Sequence, residues 1–233
     1  MINSLFDRYD NIIVLDTETT GIDPKVDEII ELAAIRLAAE GSAPQTELDM
    51  FISLSSGRKL PPLITDITGI TDETLKREGV QKEVACCRLT ELMNCSNPLL
   101  VAYNAQFDLC FLFYFLQRCG CAEILKAVGM LDAMTVYKDR RAYPHKLSNA
   151  VAAYSLSARN THRAIDDARA TLELLCAMER ERDDLNQYLN LFGYNPKYGV
   201  SGPKISSVKY VPQEYGSGKR AYECDTRSLA ASK

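Results

Sequence analysis

Two carboxylates, Asp16 and Glu18, stand one residue apart behind the apolar run 12–15 and are followed by Thr19, Thr20 and Gly21. Side chains alternate along a strand, so residues two apart point to the same side and both carboxylates can reach one divalent cation at oxygen-ligand distance. Alone, such a pair more often caps a strand end and is solvated. Asp108 is the only charged residue between Asn97 and Gln117. An ionised carboxylate in so apolar a stretch is costly unless it meets a cation or several donors, although capping the helix that begins near Gln106 is the plainer use of it. A third element, residues 161–168, carries two adjacent aspartates. Stepping by three and four, Asp166 shares a helix face with Arg169, Glu173 and Arg180, whereas Asp167 shares one with Ala170, Thr171, Leu174 and Met178, so Asp167 is expected to face inward. His162 precedes that helix on a loop; an imidazole accepts a proton near neutral pH, though an isolated histidine is more often a surface residue.

The elements that must bring these residues together can be read from hydrophobic pattern. The run 12–15 fits a central strand covered on both faces, followed by strands over residues 28–37 and 48–54. Residues 61–75 read as short helical turns with Thr71 as a cap, and residues 81–93 as an amphipathic helix. A second buried strand over 99–103 leads into a very apolar helix, 106–118, ended by Gly120. Residues 128–131 predict a short strand, 147–154 a helix, and 164–182 a long helix with a 3.6-residue period. Strands followed by alternating helices and strands make an α/β fold. Past Gly193 the pattern gives way to Gly, Pro, Ser and Tyr, the mark of extended tail segments.

Each chemical position has a plain structural use, but those uses would have to hold independently at every one. As a set, Asp16-Thr17-Glu18-Thr19-Thr20-Gly21, then residues 101–108 ending in Asn104, Phe107 and Asp108, then His162 with Asp167 resemble the DEDDh exonucleases, the group that includes the proofreading epsilon subunit of bacterial DNA polymerase III. The resemblance covers roughly residues 11–179. The sister group would carry Tyr four residues before Asp167, where Arg163 stands.

What the resemblance implies is a ribonuclease H-like mixed sheet flanked by helices, with an extended C-terminal tail. It further implies two Mg²⁺ ions, with Mn²⁺ able to substitute. Asp16, Glu18 and Asp167 would hold one ion, and Asp16 and Asp108 the other. His162 would be the general base in releasing 5′-mononucleotides from a 3′ end. The main chain near Thr17 and Thr19, the segment from Asn104, and the side chains of Ile67 and Phe107 would contact the terminal nucleotides, with Ile67 and Phe107 equally readable as core residues. Tyr103 and Thr68 occupy places where relatives often have His, which bears on substrate preference. Single-stranded DNA is the favoured substrate, in proofreading or repair. RNA 3′-end trimming and an idle nucleic-acid-binding module are the alternatives.

The 233 residues suit one exonuclease domain, 1–183, plus a tail or partner-docking segment, 184–233. A 46% hydrophobic and 25% charged composition is that of a soluble globular protein; no apolar run nears twenty residues, and residues 1–8 give no reason to read a secretory signal, so a cytoplasmic protein is expected. The net charge of −4 argues against a protein that coats nucleic acid. It divides unevenly, since residues 195–233 hold seven Lys/Arg against three Asp/Glu, net +4, which leaves −8 for residues 1–194. The eight cysteines, with Cys86, Cys87, Cys110 and Cys176 inside apolar helical patterns and no CxxC pair, read as reduced, buried thiols. Lys138, Arg140, Arg141, His145 and Lys146 form a basic cluster suited to phosphates or to a solvated loop. The tail's Lys197, Lys204, Lys209, Lys219 and Arg220, interleaved with Tyr194, Tyr198, Tyr210 and Tyr215, suggest docking on a partner or on the core. Residues 187–192, Gln to Phe, look somewhat like the peptide with which replication proteins bind a sliding clamp, or else finish the last helix.

Overall fold

The computed structural model describes residues 2–39, 46–213 and 218–224. Three antiparallel strands, β1 (Asn11–Thr19), β2 (Ile29–Ala38) and β3 (Thr46–Phe51), are extended on the other side of β1 by two parallel ones, β4 (Pro98–Ala102) and β5 (Gly129–Asp132). The order β3-β2-β1-β4-β5 places β1 in the middle of a mixed sheet. After α1 (Asn3–Phe6) come α2 (Pro62–Thr68), α3 (Asp72–Glu78), α4 (Lys82–Met93), α5 (Ala105–Arg118), α6 (Ala133–Lys138), α7 (Leu147–Ala153) and α8 (Ala164–Glu181). No helix of the described residues is long and apolar enough to cross a membrane.

Alternation along β1 sorts the core. Ile13 and Leu15 pack with Leu89 of α4 and Leu109 and Leu112 of α5, while Ile12 and Val14 pack with Leu174, Leu175 and Met178 of α8. Each such side chain contributes about 1.5–3 kcal/mol on full burial, so apolar area on both faces holds the sheet and can offset unfavourable electrostatics at its end. Even-numbered residues of β1 thus face α8 and odd-numbered ones face α5, which decides where Asp16, Thr17 and Glu18 point. The approach of α8 to β2 is set by small residues: Ala33 of β2 and Ala164 and Ala168 of α8 are all fully buried in one cluster.

The segments read from sequence as helices and strands all form, with ends shifted by a few residues. β1 runs on through Asp16 and Glu18 because β2 pairs with it as far as Thr19, with a bulge between Glu18 and Thr19. Thr71 caps α3 by accepting from the Thr74 N–H. The chain turns after α5 at Gly120, whose φ of +73° favours glycine.

Three expectations are corrected. The cysteines are free thiols, but Cys87 is exposed on α4 beside Glu91. The basic cluster is neither a phosphate surface nor a solvated loop at its centre. The Arg140 side chain is 1% exposed and donates to Asp184 and the Met178 carbonyl, Arg141 pairs with Glu181 at 2.8 Å, and His145 is buried with its Nε2 3.0 Å from the Arg141 carbonyl. The clamp-like peptide is likewise turned inward, since Leu185, Tyr188 and Phe192 lie in the core clusters. It forms not an end of α8 but a 3₁₀ turn, Leu185–Tyr188, and β6 (Leu191–Tyr194), which pairs with β7 (Lys209–Pro212).

The tail docks on its own core. Tyr210 donates to Gln106 Oε1 at 2.6 Å, Gln106 Nε2 donates to the Ser201 and Pro203 carbonyls, and Arg220 donates to the Asp139 carbonyl. Tyr215 and the residues beyond 224 lie outside the described residues.

Candidate active site

The carboxylates converge where β1 ends. Asp16 and Glu18 project from the face of β1 that α8 covers, and Asp167, in the first turn of α8, reaches over them. Asp167 is 5% exposed whereas Asp166 is half-exposed and bonded to the Thr161 hydroxyl, as the helix-face reading expects. Asp108 approaches from the opposite face. Its Oδ1 accepts the Thr17 N–H at 3.0 Å and the Thr17 hydroxyl at 2.7 Å. The Thr17 N–H and hydroxyl thus both serve to hold Asp108. Thr19 is buried, its hydroxyl donating to the Gly21 carbonyl at 2.6 Å.

His162 stands exposed on the loop before α8, with a left-handed φ of +57°. A ring nitrogen of His162 and carboxylate oxygens of Glu18 and Asp167 all lie within 4.8 Å of one another. Asp167 is fixed from below by the Thr161 N–H at 3.1 Å and by the Asn160 amide.

Electrostatics marks the cluster as short of positive charge. Burial, then the neighbouring Asp108, Asp167, Glu18 and Glu31, push Asp16 well above the usual carboxylate range. Burial and Asp167 push Glu18 up to about 8. Burial raises Asp108 to about 7 against the hydrogen bonds from Thr17, and raises Asp167 to about 6 against those from Thr161 and Asn160. Four acids with raised pKa values, two of them deeply buried, fit a bound divalent cation, whose charge would relieve each of them.

Asn104 caps α5 in the left-handed conformation with φ of +66°, its N–H accepted by Asp132 at 2.9 Å and its side chain exposed. Phe107 is half-buried, its ring 4.8 Å from that of Phe111. Ile67 is 44% exposed one helical turn from Leu63, itself 65% exposed, so on α2 both are surface rather than core.

Two supporting carboxylates escaped the sequence reading. Asp132 accepts the N–H groups of Asn104 and Ala105, which shapes the loop leading to Asp108. Glu31, fully buried on β2, binds Arg163 beside His162. Glu31 carries the signal that flagged Asp108, a lone charge inside an apolar run.

A family model described as exonuclease, RNase_T, matches residues 13–175, most of the chain and all of the cluster. The chain belongs to this exonuclease family. That membership agrees with the DEDDh resemblance of its motifs. Among curated relatives, the exonuclease is 32% identical to the PolC-type DNA polymerase III of Lacticaseibacillus paracasei over 84% of this chain but only 14% of that protein. It is 31% identical to the DNA polymerase III epsilon subunit of Treponema pallidum, over 70% of this chain and 74% of that one. Thus the exonuclease spans about a seventh of the first relative and about three-quarters of the second. In fold it is similar to Escherichia coli exonuclease I, solved as a zinc-bound complex with single-stranded DNA, with a TM-score of 0.70 at 20% identity over 77% of this chain and 42% of that one.

Proposed function

We propose that this exonuclease removes 5′-mononucleotides from the 3′ ends of single-stranded DNA, with two Mg²⁺ ions that Mn²⁺ can replace, in replication proofreading or repair. The observation that carries this reading is the meeting of Asp16, Glu18, Asp108 and Asp167, from three separate elements, in one acidic cluster beside His162. Asp16, Glu18 and Asp167 would hold one ion, and Asp16 with Asp108 the other. Two divalent cations supply stabilisation of the attacking and leaving oxygens of an in-line phosphoryl displacement.

The chain's own residues do the rest. His162 takes a proton from the attacking water as its oxygen bonds to phosphorus and the bond to the 3′ oxygen breaks. The Thr17 donors aim Asp108 and favour its ionised form against burial, and the Asn160 and Thr161 donors do the same for Asp167. Leu63 and Ile67 on α2, with Phe107, offer apolar surface for terminal bases, the sequence-tolerant contact that single strands favour. The exonuclease I complex with a dA16 oligonucleotide supports a single-stranded substrate by likeness of fold, and the polymerase III relatives support association with a replicative polymerase.

The test is degradation of 3′-labelled single-stranded DNA and RNA by the purified protein, with Mg²⁺ or with EDTA, beside His162→Ala. The expected result is release of mononucleotides from DNA, abolished by EDTA and reduced about 10²–10⁴-fold in the variant, the usual worth of a general base. Preference for RNA would move the substrate to RNA trimming. Activity in neither wild type nor variant, or equal activity in both, would sink the catalytic reading.

A further inference from the structure

Glu31 lies directly opposite Glu18 in the β1–β2 register, on the face covered by α8, and is fully buried. Like charges paired across strands repel, so Glu31 needs a reason to be there. Its oxygens are already engaged. Oε1 accepts from Arg163 Nε at 2.9 Å and Nη2 at 2.7 Å, and Oε2 accepts the Ala164 N–H at 3.2 Å. The Arg163 guanidinium also lies 4.8 Å over the ring of Phe51, which is the register partner of Glu31 on β3. A planar fork gripped by a carboxylate and stacked on a ring is fixed in both direction and height, which a lysine ammonium would not be.

On the other side of His162, the Thr161 N–H and hydroxyl are held by Asp167 and Asp166 at 3.1 and 2.7 Å. His162 is therefore the one residue between two anchored neighbours. Its left-handed backbone, unfavourable for a residue with a Cβ, persists because both flanks are tied.

We propose that Glu31 and Arg163 form a positioning pair that holds the His162 loop in the conformation presenting the imidazole to Glu18 and Asp167. The proposal rests on the reading of His162 as general base for its kinetic consequence, and on geometry alone for its structural one. Neither residue need touch substrate. Arg163 would act through its neighbour in the chain.

The test compares Arg163→Gln, Arg163→Lys, Glu31→Gln, His162→Ala and the Arg163→Gln/His162→Ala double variant on 3′-labelled single-stranded DNA at saturating Mg²⁺. Mn²⁺ affinity and the thermal midpoint are measured alongside. The chain has only two histidines, so His162→Ala assigns the imidazole proton signals. Arg163→Gln should lower kcat about 10–100-fold, the usual worth of an outer-shell partner, with KM and Mn²⁺ affinity within about twofold. Arg163→Lys should restore little of it. The loss should vanish in the His162→Ala background, and the signals of His162 should shift in Arg163→Gln while those of His145 stay in place.

An equal loss in both backgrounds, a loss explained by weaker Mn²⁺ binding, or unmoved His162 signals would overturn the proposal. If His162→Ala keeps wild-type kcat, the general-base reading falls by itself, and the ring signals still decide whether Arg163 holds the loop. Should the buried Glu31→Gln variant fail to fold, Arg163→Gln, with a side chain 38% exposed, carries the test.

Discussion

At the C-terminal end of α8 the buried Arg140 meets Asp184 and Glu181 and caps the Met178 carbonyl, while at the N-terminal end Asp167 meets Asp16 and Glu18. Both arrangements suit the helix dipole, with a cation at the carbonyl end and an anion at the amide end. They differ in closure. The first balances charge among side chains, and Arg141 and Tyr154 hold the Glu181 carboxyl below its ordinary range despite burial. The second gathers like charges and leaves them raised. A buried cluster that balances itself holds structure; one that does not is built for something to be added.

The largest effect should come from breaking the unbalanced end. Asp167→Ala is expected to lower kcat about 10⁴-fold or more, as when one member of an interdependent catalytic set is lost. Asp166→Ala, one residue away on the outer face, loses the Thr161 hydroxyl contact but leaves the Thr161 N–H held by Asp167, and should cost no more than about tenfold. Equal losses in the same assay would undo the distinction between the two aspartates. At the balanced end, Arg140→Met should cost about 3–5 kcal/mol of stability in urea unfolding, the scale for stranding a buried charge partner, while the folded fraction keeps its kcat.

The two kinds of site should also respond oppositely to pH. Glu18, Asp108 and Asp167 have folded pKa values of about 8, 7 and 6, above unfolded values near 4. Between those limits the folded protein binds more protons than the unfolded chain, so the metal-free protein should lose stability as pH rises from about 5 to 8. Scanning calorimetry in EDTA should show a falling midpoint over that window, at about 2–4 °C per kcal/mol, and Mg²⁺ at pH 8 should reverse it. Asp16→Asn should raise the metal-free midpoint at pH 8 while abolishing activity.

Glu28 is the counter-case. Burial would raise its pKa, but Ser55 and Lys82 hold it below the ordinary value, so its contribution is present above about pH 4.3 and lost as pH falls through the lower folded value. Lys82→Met, which removes the 3.0 Å partner, should cost about 1 kcal/mol at pH 7 and less near pH 3. A cost that grows on acidification would contradict the assignment.

The site was more legible in the sequence than its supports. Asp16, Glu18, Asp108 and Asp167 each violate a local rule, as charges where the period asks for apolar residues, and periodicity chose Asp167 over Asp166. What pairs with what across the chain leaves no such trace. Glu31 and Arg163 are 132 residues apart, and Thr17 and Asp108 are 91 apart, joined only once the sheet forms. The basic cluster misled because composition counts Arg140 as a surface charge, whereas Asp184 and the Met178 carbonyl draw it inside. The tail was partly legible: docking on the core is one of the uses its Tyr and Lys residues suggest, but its Gly- and Pro-rich spacing hides which residues, such as Val211, are wholly buried.

The three alanines where α8 meets β2 act as a ruler. Because Ala33, Ala164 and Ala168 have nothing beyond a Cβ, the first turns of the helix can lie close to the sheet there, beside the bulkier Ile35 and Ile165, and Asp167 rides on that close approach. The spacing of any cation the acids hold would therefore be calibrated by residues with no polar atom in their side chains, and widening Ala168 by two methyl groups would detune it without touching a single carboxylate.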